Sequence, residues 1–169
     1  DDNLIDYLTE YNFAWATYAA KRDVDCAACT SDNDFTGTIM GAYLEGRTLI
    51  HNEASLEEIT AQRTIIANTW EKMIAANIIH YAQDVNARMS DSGNKKILHS
   101  WAEMRAFAMA LQYNQYKLIT DTDLSEVISD MGTAPPAPAT WTDYSTKLTN
   151  IVSTLKTTYS FADANITAW

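Results

Sequence analysis

An all-α helical bundle is the fold class this sequence predicts, with two antiparallel long helices, about 55–89 and 95–116, at its centre. Three observations predict it. Apolar residues recur at intervals of three and four rather than two, which is the signature of one helix face. Glycine and proline are scarce, 5 and 3 in 169 residues, and the prolines sit together in GTAPPAPAT at 132–140. Two long apolar-rich passages, TIIANTWEKMIAANIIHYAQDV and ILHSWAEMRAFAMALQYN, are separated only by a short polar break, and a short connection makes helices antiparallel neighbours.

The elements follow in order. Over 3–21, Leu4, Leu8, Tyr11, Trp15, Tyr18 and Ala19 share one stripe, while Asp6, Glu10 and Lys21 can stay in water. A polar loop over 22–34 breaks that pattern, and a second, shorter helix is expected over 36–50. Ser55 and Glu58 have capping-box spacing, so a long third helix should begin there and run to about Met89. Its apolar face centres on Ile59, Ile66, Trp70, Ile74 and Tyr81, yet Arg63, Asn77 and Asp84 fall in the same arc. Ile65 and Ile79 point the other way, which predicts a helix surrounded on most sides. The run SDSGN at 90–94 reads as a turn, and a fourth helix is expected over 95–116. A short fifth should open at Asp123 with Glu126 in the reciprocal position. After the extended connection at 132–140, Thr140 to Asp143 should open a last helix to about Thr157. No internal repeat stands out, so a single helical domain over 1–169 is expected, either by itself or as the C-terminal part of a longer precursor.

Composition narrows the function. Twelve basic residues against 22 acidic ones give a formal charge of −10, which repels a phosphate backbone, so no nucleic-acid partner is expected. The uncharged stretches of the two central helices, 73–83 and 106–116, are 11 residues each and contain polar side chains. Crossing a bilayer takes roughly 20 apolar residues, so no membrane span is expected. The chain opens Asp1-Asp2-Asn3 with neither a basic nor an apolar leader region; any export signal has been removed or lies in a longer precursor.

The candidate site is polar and lies in the two central helices. His99 and Glu103 are one turn apart on a stripe that continues through Ala106, Ala110 and Asn114, and the antiparallel register brings His80 or Asp84 toward the His99 end. An ionisable group placed inward loses its water and needs a partner, a metal or a ligand. One reading makes His99, Glu103, His80 and Asp84 the ligands of a divalent metal, as bundles build carboxylate and imidazole sites. The other has Glu103 neutralised by Arg63 or Arg105, with each histidine donating within a satisfied core network. No HExxH arrangement marks a zinc hydrolase and no motif nominates a nucleophile, so no catalytic residue is assigned.

Cys26 and Cys29 form the only cysteine pair, in a polar loop rather than at a strand-to-helix junction, and Thr30 stands where covalent haem attachment needs histidine. A local disulfide in an exported protein is the expectation, with a free or metal-binding pair as the alternative. Asp32, Asp34, Thr36 and Gly37 match the first half of a calcium loop, but the twelfth position is Tyr43 rather than a bidentate glutamate. An acidic solvated loop is the competing reading. Trp15, Trp70, Trp101 and Trp141, with Met73, Met104 and Met109, read as core filling at helical spacing. Asn165-Ile166-Thr167 has the N-glycosylation pattern.

The segments TWEKMIAANIIHY, HSWAEMRAFAMALQYN and YSFADANITAW resemble the domain-of-unknown-function family four-eight-five-six, helical proteins exported by Gram-negative bacteria, often as lipoproteins. The likeness runs from about Thr64 to Trp169 and is strongest in the His99-x-Trp101-x-Glu103 block and the terminal Tyr-x-Phe to Trp pattern. The family looks distantly similar to the imelysin-like group, whose hallmark is a histidine three residues before a glutamate, associated with metal or haem handling. Here the residue three before Glu103 is Ser100, and His99 is four before it.

Together these imply a periplasmic or cell-surface, extracellular-facing bundle, more a binder than an enzyme, holding a metal, haem or other small ligand in its core. The alternative is a structural protein of the cell surface whose polar core is purely structural and which self-associates or assembles with other surface proteins. A metal-dependent hydrolase is third.

Overall fold

The computed structural model describes residues 14–23, 26–30, 33–91 and 93–169. Among them the chain is helical throughout, in seven α-helices with no strand, as the periodicity predicts. The part of the expected first helix carrying Leu4, Leu8 and Tyr11 lies outside the described residues; the remainder is α1, Ala14–Arg22.

α2, Phe35–His51, is capped twice at its start. Asp34 accepts from Gly37 N at 2.9 Å, and Asp23, reaching across from the end of α1, accepts from Phe35 N at 2.6 Å and Thr36 N at 3.2 Å. Two carboxylates thus serve donors that have no partner inside the helix. Ser55 opens α3, Leu56–Arg88, with the reciprocal Ser55–Glu58 capping box, a motif that contributes about 1 kcal/mol.

α3 is the central rod. α2 packs on its first half and α4, Lys96–Ala110, on its second, with α6, Trp141–Tyr159, on another side. Between Glu71 and Val85 it is buried nearly all round, through Met73, Ala75, Ala76, Ile78, Ile79 and Ala82, as an apolar pattern without a single face requires. The small residues let neighbours approach closely. Burying Met73, Ile78 or Ile79 this completely makes each worth about 2–5 kcal/mol on truncation to alanine.

α4 is shorter than expected. It ends at Ala110, tightens into one 3₁₀ turn over Leu111–Tyr113 and then extends at Asn114. Beyond it Tyr116 N and Lys117 N turn back onto Asn114, and Leu118 N and Ile119 N donate to Glu71. α5, Asp121–Met131, starts two residues before the expected Asp123: Thr120 is its cap, accepting from Asp123 N and donating to the Asp123 carboxylate. Gly132, at φ 74°, closes it in the left-handed region that favours glycine. Its last carbonyls are met from two other helices, Met131 O by Trp101 Nε1 and the Tyr144 hydroxyl, both at 2.9 Å, and Gly132 O by Arg105 at 2.6 Å. A guanidinium at a helix C-terminus also suits the dipole.

α6 starts at Trp141 and runs two residues past the expected Thr157; Thr140 donates to Ala137 O instead of capping with its side chain. A final helix, α7, Asp163–Ala168, follows and escapes sequence periodicity because six residues are under two turns. Trp169, the one tryptophan not read as core, is buried between Phe35 and Phe161, whereas Trp15 is 42% exposed and Met109 41%. Among the described residues no helix is long and apolar enough to cross a membrane.

Candidate functional site

The register of α3 against α4 is the expected one, and the face of α4 is not. Asp84 does meet the His99 end of α4, but through Ser100: the Ser100 hydroxyl donates to Asp84 at 3.3 Å and accepts from Arg88 Nη1 at 2.9 Å, while Arg88 also pairs with Asp84. The stripe turned to the core is Ile97, Ser100, Met104, Phe107, Ala108 and Leu111. His99, Glu103, Ala106 and Ala110 lie a quarter-turn or more from it, on the flank next to α1.

The four expected metal ligands are therefore not gathered at one point. His99 is exposed beside the Tyr81 ring, 6.3 Å between centroids. His80 sits against the last helix, its Nδ1 2.6 Å from Trp169 O; since a carbonyl only accepts, Nδ1 carries the proton. Burial first, and then the Arg22 charge, push the His80 pKa below its ordinary value and keep the ring neutral. Its Nε2 is 4.0 Å from Asp84, beyond hydrogen-bond reach. Among the described residues no three His, Cys, Asp or Glu side chains converge as a metal ion requires.

Glu103 belongs to a different constellation. Its Oε2 accepts from the Tyr18 hydroxyl at 3.1 Å, and neither expected neutraliser reaches it: Arg105 is turned to Gly132, and Arg63 lies over the Tyr116 ring at 4.8 Å. No ion pair to Glu103 exists among the described residues. Burial, and after it the Glu103 charge, raise the Tyr18 pKa, so Tyr18 stays a donor at neutral pH. Above this pair, α1 and α4 leave a groove of about 320 Å³, walled by Trp15, Tyr18 and Phe107 and floored by Ala106 and Ala110, with Glu103 as its acid. The rings meet edge to face, Trp15 to Phe107 at 5.7 Å and Tyr18 to Phe107 at 4.8 Å.

Sequence reasoning missed the most deeply buried acid. Glu71, 1% exposed, accepts at Oε1 from Leu118 N (2.8 Å), Ile119 N (3.1 Å) and the Tyr159 hydroxyl (2.8 Å), and at Oε2 from Asn114 Nδ2 (2.6 Å). The available signal is its isolation: Glu71 is the only acid in α3 between Glu58 and Asp84. With four donors on two oxygens it has no capacity left for a ligand.

Cys26 and Cys29 are joined, as expected. Of the calcium-loop residues, Asp32 lies outside the described residues, Asp34 is spent on capping α2, and Thr36 offers its backbone N–H to Asp23. Asn165 is fully buried, exchanging hydrogen bonds with Thr30 at 2.9 Å each way, which closes it to a glycan.

Comparison with curated proteins and with solved structures gives no match, and the more distant imelysin likeness finds no support among the matches. In that block Ser100, Trp101 and Arg105 fasten α4 to its neighbours and Met104 is fully buried. The family model described as Domain of unknown function (DUF4856) matches residues 8–161, most of the chain, and the chain belongs to that family.

Proposed function

We propose that this chain is a non-enzymatic helical binding module that holds a small ligand in the groove between α1 and α4, with Glu103 as its polar anchor. The observation that carries the reading is the contrast in satisfaction. Glu71, His80 and Asp84 all have their partners within the chain, whereas among the described residues Glu103 accepts one hydrogen bond, at Oε2, and its Oε1 takes none beside three aromatic rings. Ligand sites combine an apolar concavity with a few convergent polar groups, and this groove has both.

A metal or haem does not fit the donor set. The groove brings one carboxylate and one hydroxyl to its occupant, no imidazole or thiolate among its lining residues, and hard cations need about six oxygens. Export to an oxidising compartment belongs to the same proposal and is supported by the Cys26–Cys29 disulfide, since such bonds persist outside the cytosol.

The test is to fill the groove. Ala106 is exposed on its floor, so Ala106→Trp occupies the space without entering the core. The neutral dye Nile red should fluoresce with the wild type and lose most of that signal with Ala106→Trp, at an unchanged melting temperature. Equal signals from the two proteins would remove the groove as a site.

A second reading, assembly through a helical surface, is favoured by the turn between α2 and α3, where Ile50 is 63% and Leu56 78% exposed. It requires self-association that Ile50→Glu abolishes. A wild-type monomer at high concentration in sedimentation equilibrium argues against it.

A further inference from the structure

We infer that the groove between α1 and α4 selects a small organic ammonium ion carrying an apolar body, an inference that rests on the binding reading above and deepens it. Four features point to that chemistry. First, the anchor is an unpaired negative charge: no Lys or Arg among the described residues pairs with Glu103, and Arg105, two residues along, is held by Gly132 O. A carboxylate with Oε1 open accepts a charge-assisted N–H bond from an ammonium group and repels an anion.

Second, the walls are aromatic. Trp15, Tyr18 and Phe107 meet at interplanar angles of 78° and 81°, so ring faces turn in more than one direction around the cavity. Ring faces attract cations, tryptophan most strongly. Tyr18 already does so: the Lys21 ammonium lies 5.1 Å from its ring centroid, which leaves the 42% exposed Trp15 for an incoming cation, with Phe107 as its packed backing. Third, Ala106 and Ala110 bring only methyl groups to the floor, so the space of about 320 Å³ accepts a hydrocarbon body rather than a bare hydrated ion. Fourth, the net charge of −10 raises the local concentration of cations around the whole molecule.

The experiment is a calorimetric titration of the full chain with three compounds of one shape and different charge: benzyltrimethylammonium, benzyl alcohol and benzoate. The expected order is cation, then alcohol, then benzoate, with the cation at least about tenfold tighter than the alcohol, a difference of 1.4 kcal/mol. Glu103→Gln should weaken the cation about tenfold and the alcohol, which has no charge to lose, by about twofold at most, and raising salt from 50 to 500 mM should weaken the cation alone. Circular dichroism of Glu103→Gln should match the wild type, because this half-buried side chain makes one hydrogen bond. Equal affinity for cation and alcohol, or indifference to Glu103→Gln, overturns the ammonium class and leaves the groove standing. Failure of all three to bind overturns the groove and the class together.

Discussion

Glu71 and Glu103 are acids on two neighbouring helices of one bundle, and their surroundings make them opposites. Glu71 is sealed by α6 and the segment before α5, and its two oxygens take four hydrogen bonds, two of them from backbone N–H groups of that segment. Among the described residues Glu103 is met by α1 and takes one. The sealed acid organises the chain around itself and the half-open one leaves capacity for something outside it. Residue type alone does not separate a structural acid from a binding one; the number of donors already committed does.

Removing the sealed acid is the sharpest way to test that contrast. Glu71→Ala strands Leu118 N, Ile119 N and the Tyr159 hydroxyl in the core and should cost about 3–5 kcal/mol in urea unfolding. Glu71→Gln keeps an oxygen for the Oε1 donors, but Asn114 meets the new NH₂ only by rotating its amide and giving up the bond it accepts from Tyr116 N, so about 1–2 kcal/mol is expected. A loss of less than 1 kcal/mol for the alanine variant would break the comparison.

The Asp84 cluster is intermediate. Asp84 pairs with Arg88 and accepts from Ser100 at partly exposed positions, so Asp84→Ala should cost about 1 kcal/mol, measured the same way.

The pH profile extends the contrast. The folded pKa of His80 lies below its unfolded value, so the stabilisation from its neutral form is complete above about pH 6.5 and is lost as pH falls. Burial first, and then the Glu71 charge, raise the pKa of Tyr159, and burial pushes Tyr144 up to about 12. Both groups favour the folded state fully below about pH 10 and lose that contribution as pH rises above it. Thermal melts should therefore decline on the acid side in the wild type and less steeply in His80→Gln.

Two further effects complete the series. Reduction of Cys26–Cys29 releases a short loop and should cost at most about 2 kcal/mol by the chain-entropy estimate. Glu103→Gln should change stability by under about 0.5 kcal/mol, the smallest effect here, while changing ligand preference.

Much of this architecture is legible in the sequence. The Ser55–Glu58 capping box, the all-round apolar centre of α3 and its antiparallel register with α4 follow from local rules and are what the structure contains. The face of α4 is less legible, because HSWAEMRAFAMALQ carries Ala, Met or an aromatic in every direction and periodicity alone cannot choose the core stripe. Tertiary demand chose it: Ser100 and Trp101 have partners on α3 and α5, and that rotates His99 into solvent. Glu71 is illegible for another reason. Its partners are 43 to 88 residues away, and no local pattern announces them.

The most direct test of the open-acid account is an amide and indole NMR titration of the ¹⁵N-labelled chain with benzyltrimethylammonium. Saturable shifts confined to the Trp15 indole and the amides of Tyr18, Glu103, Ala106 and Phe107 are the predicted result. Shifts centred instead on the α2–α3 turn, or none at all, contradict it.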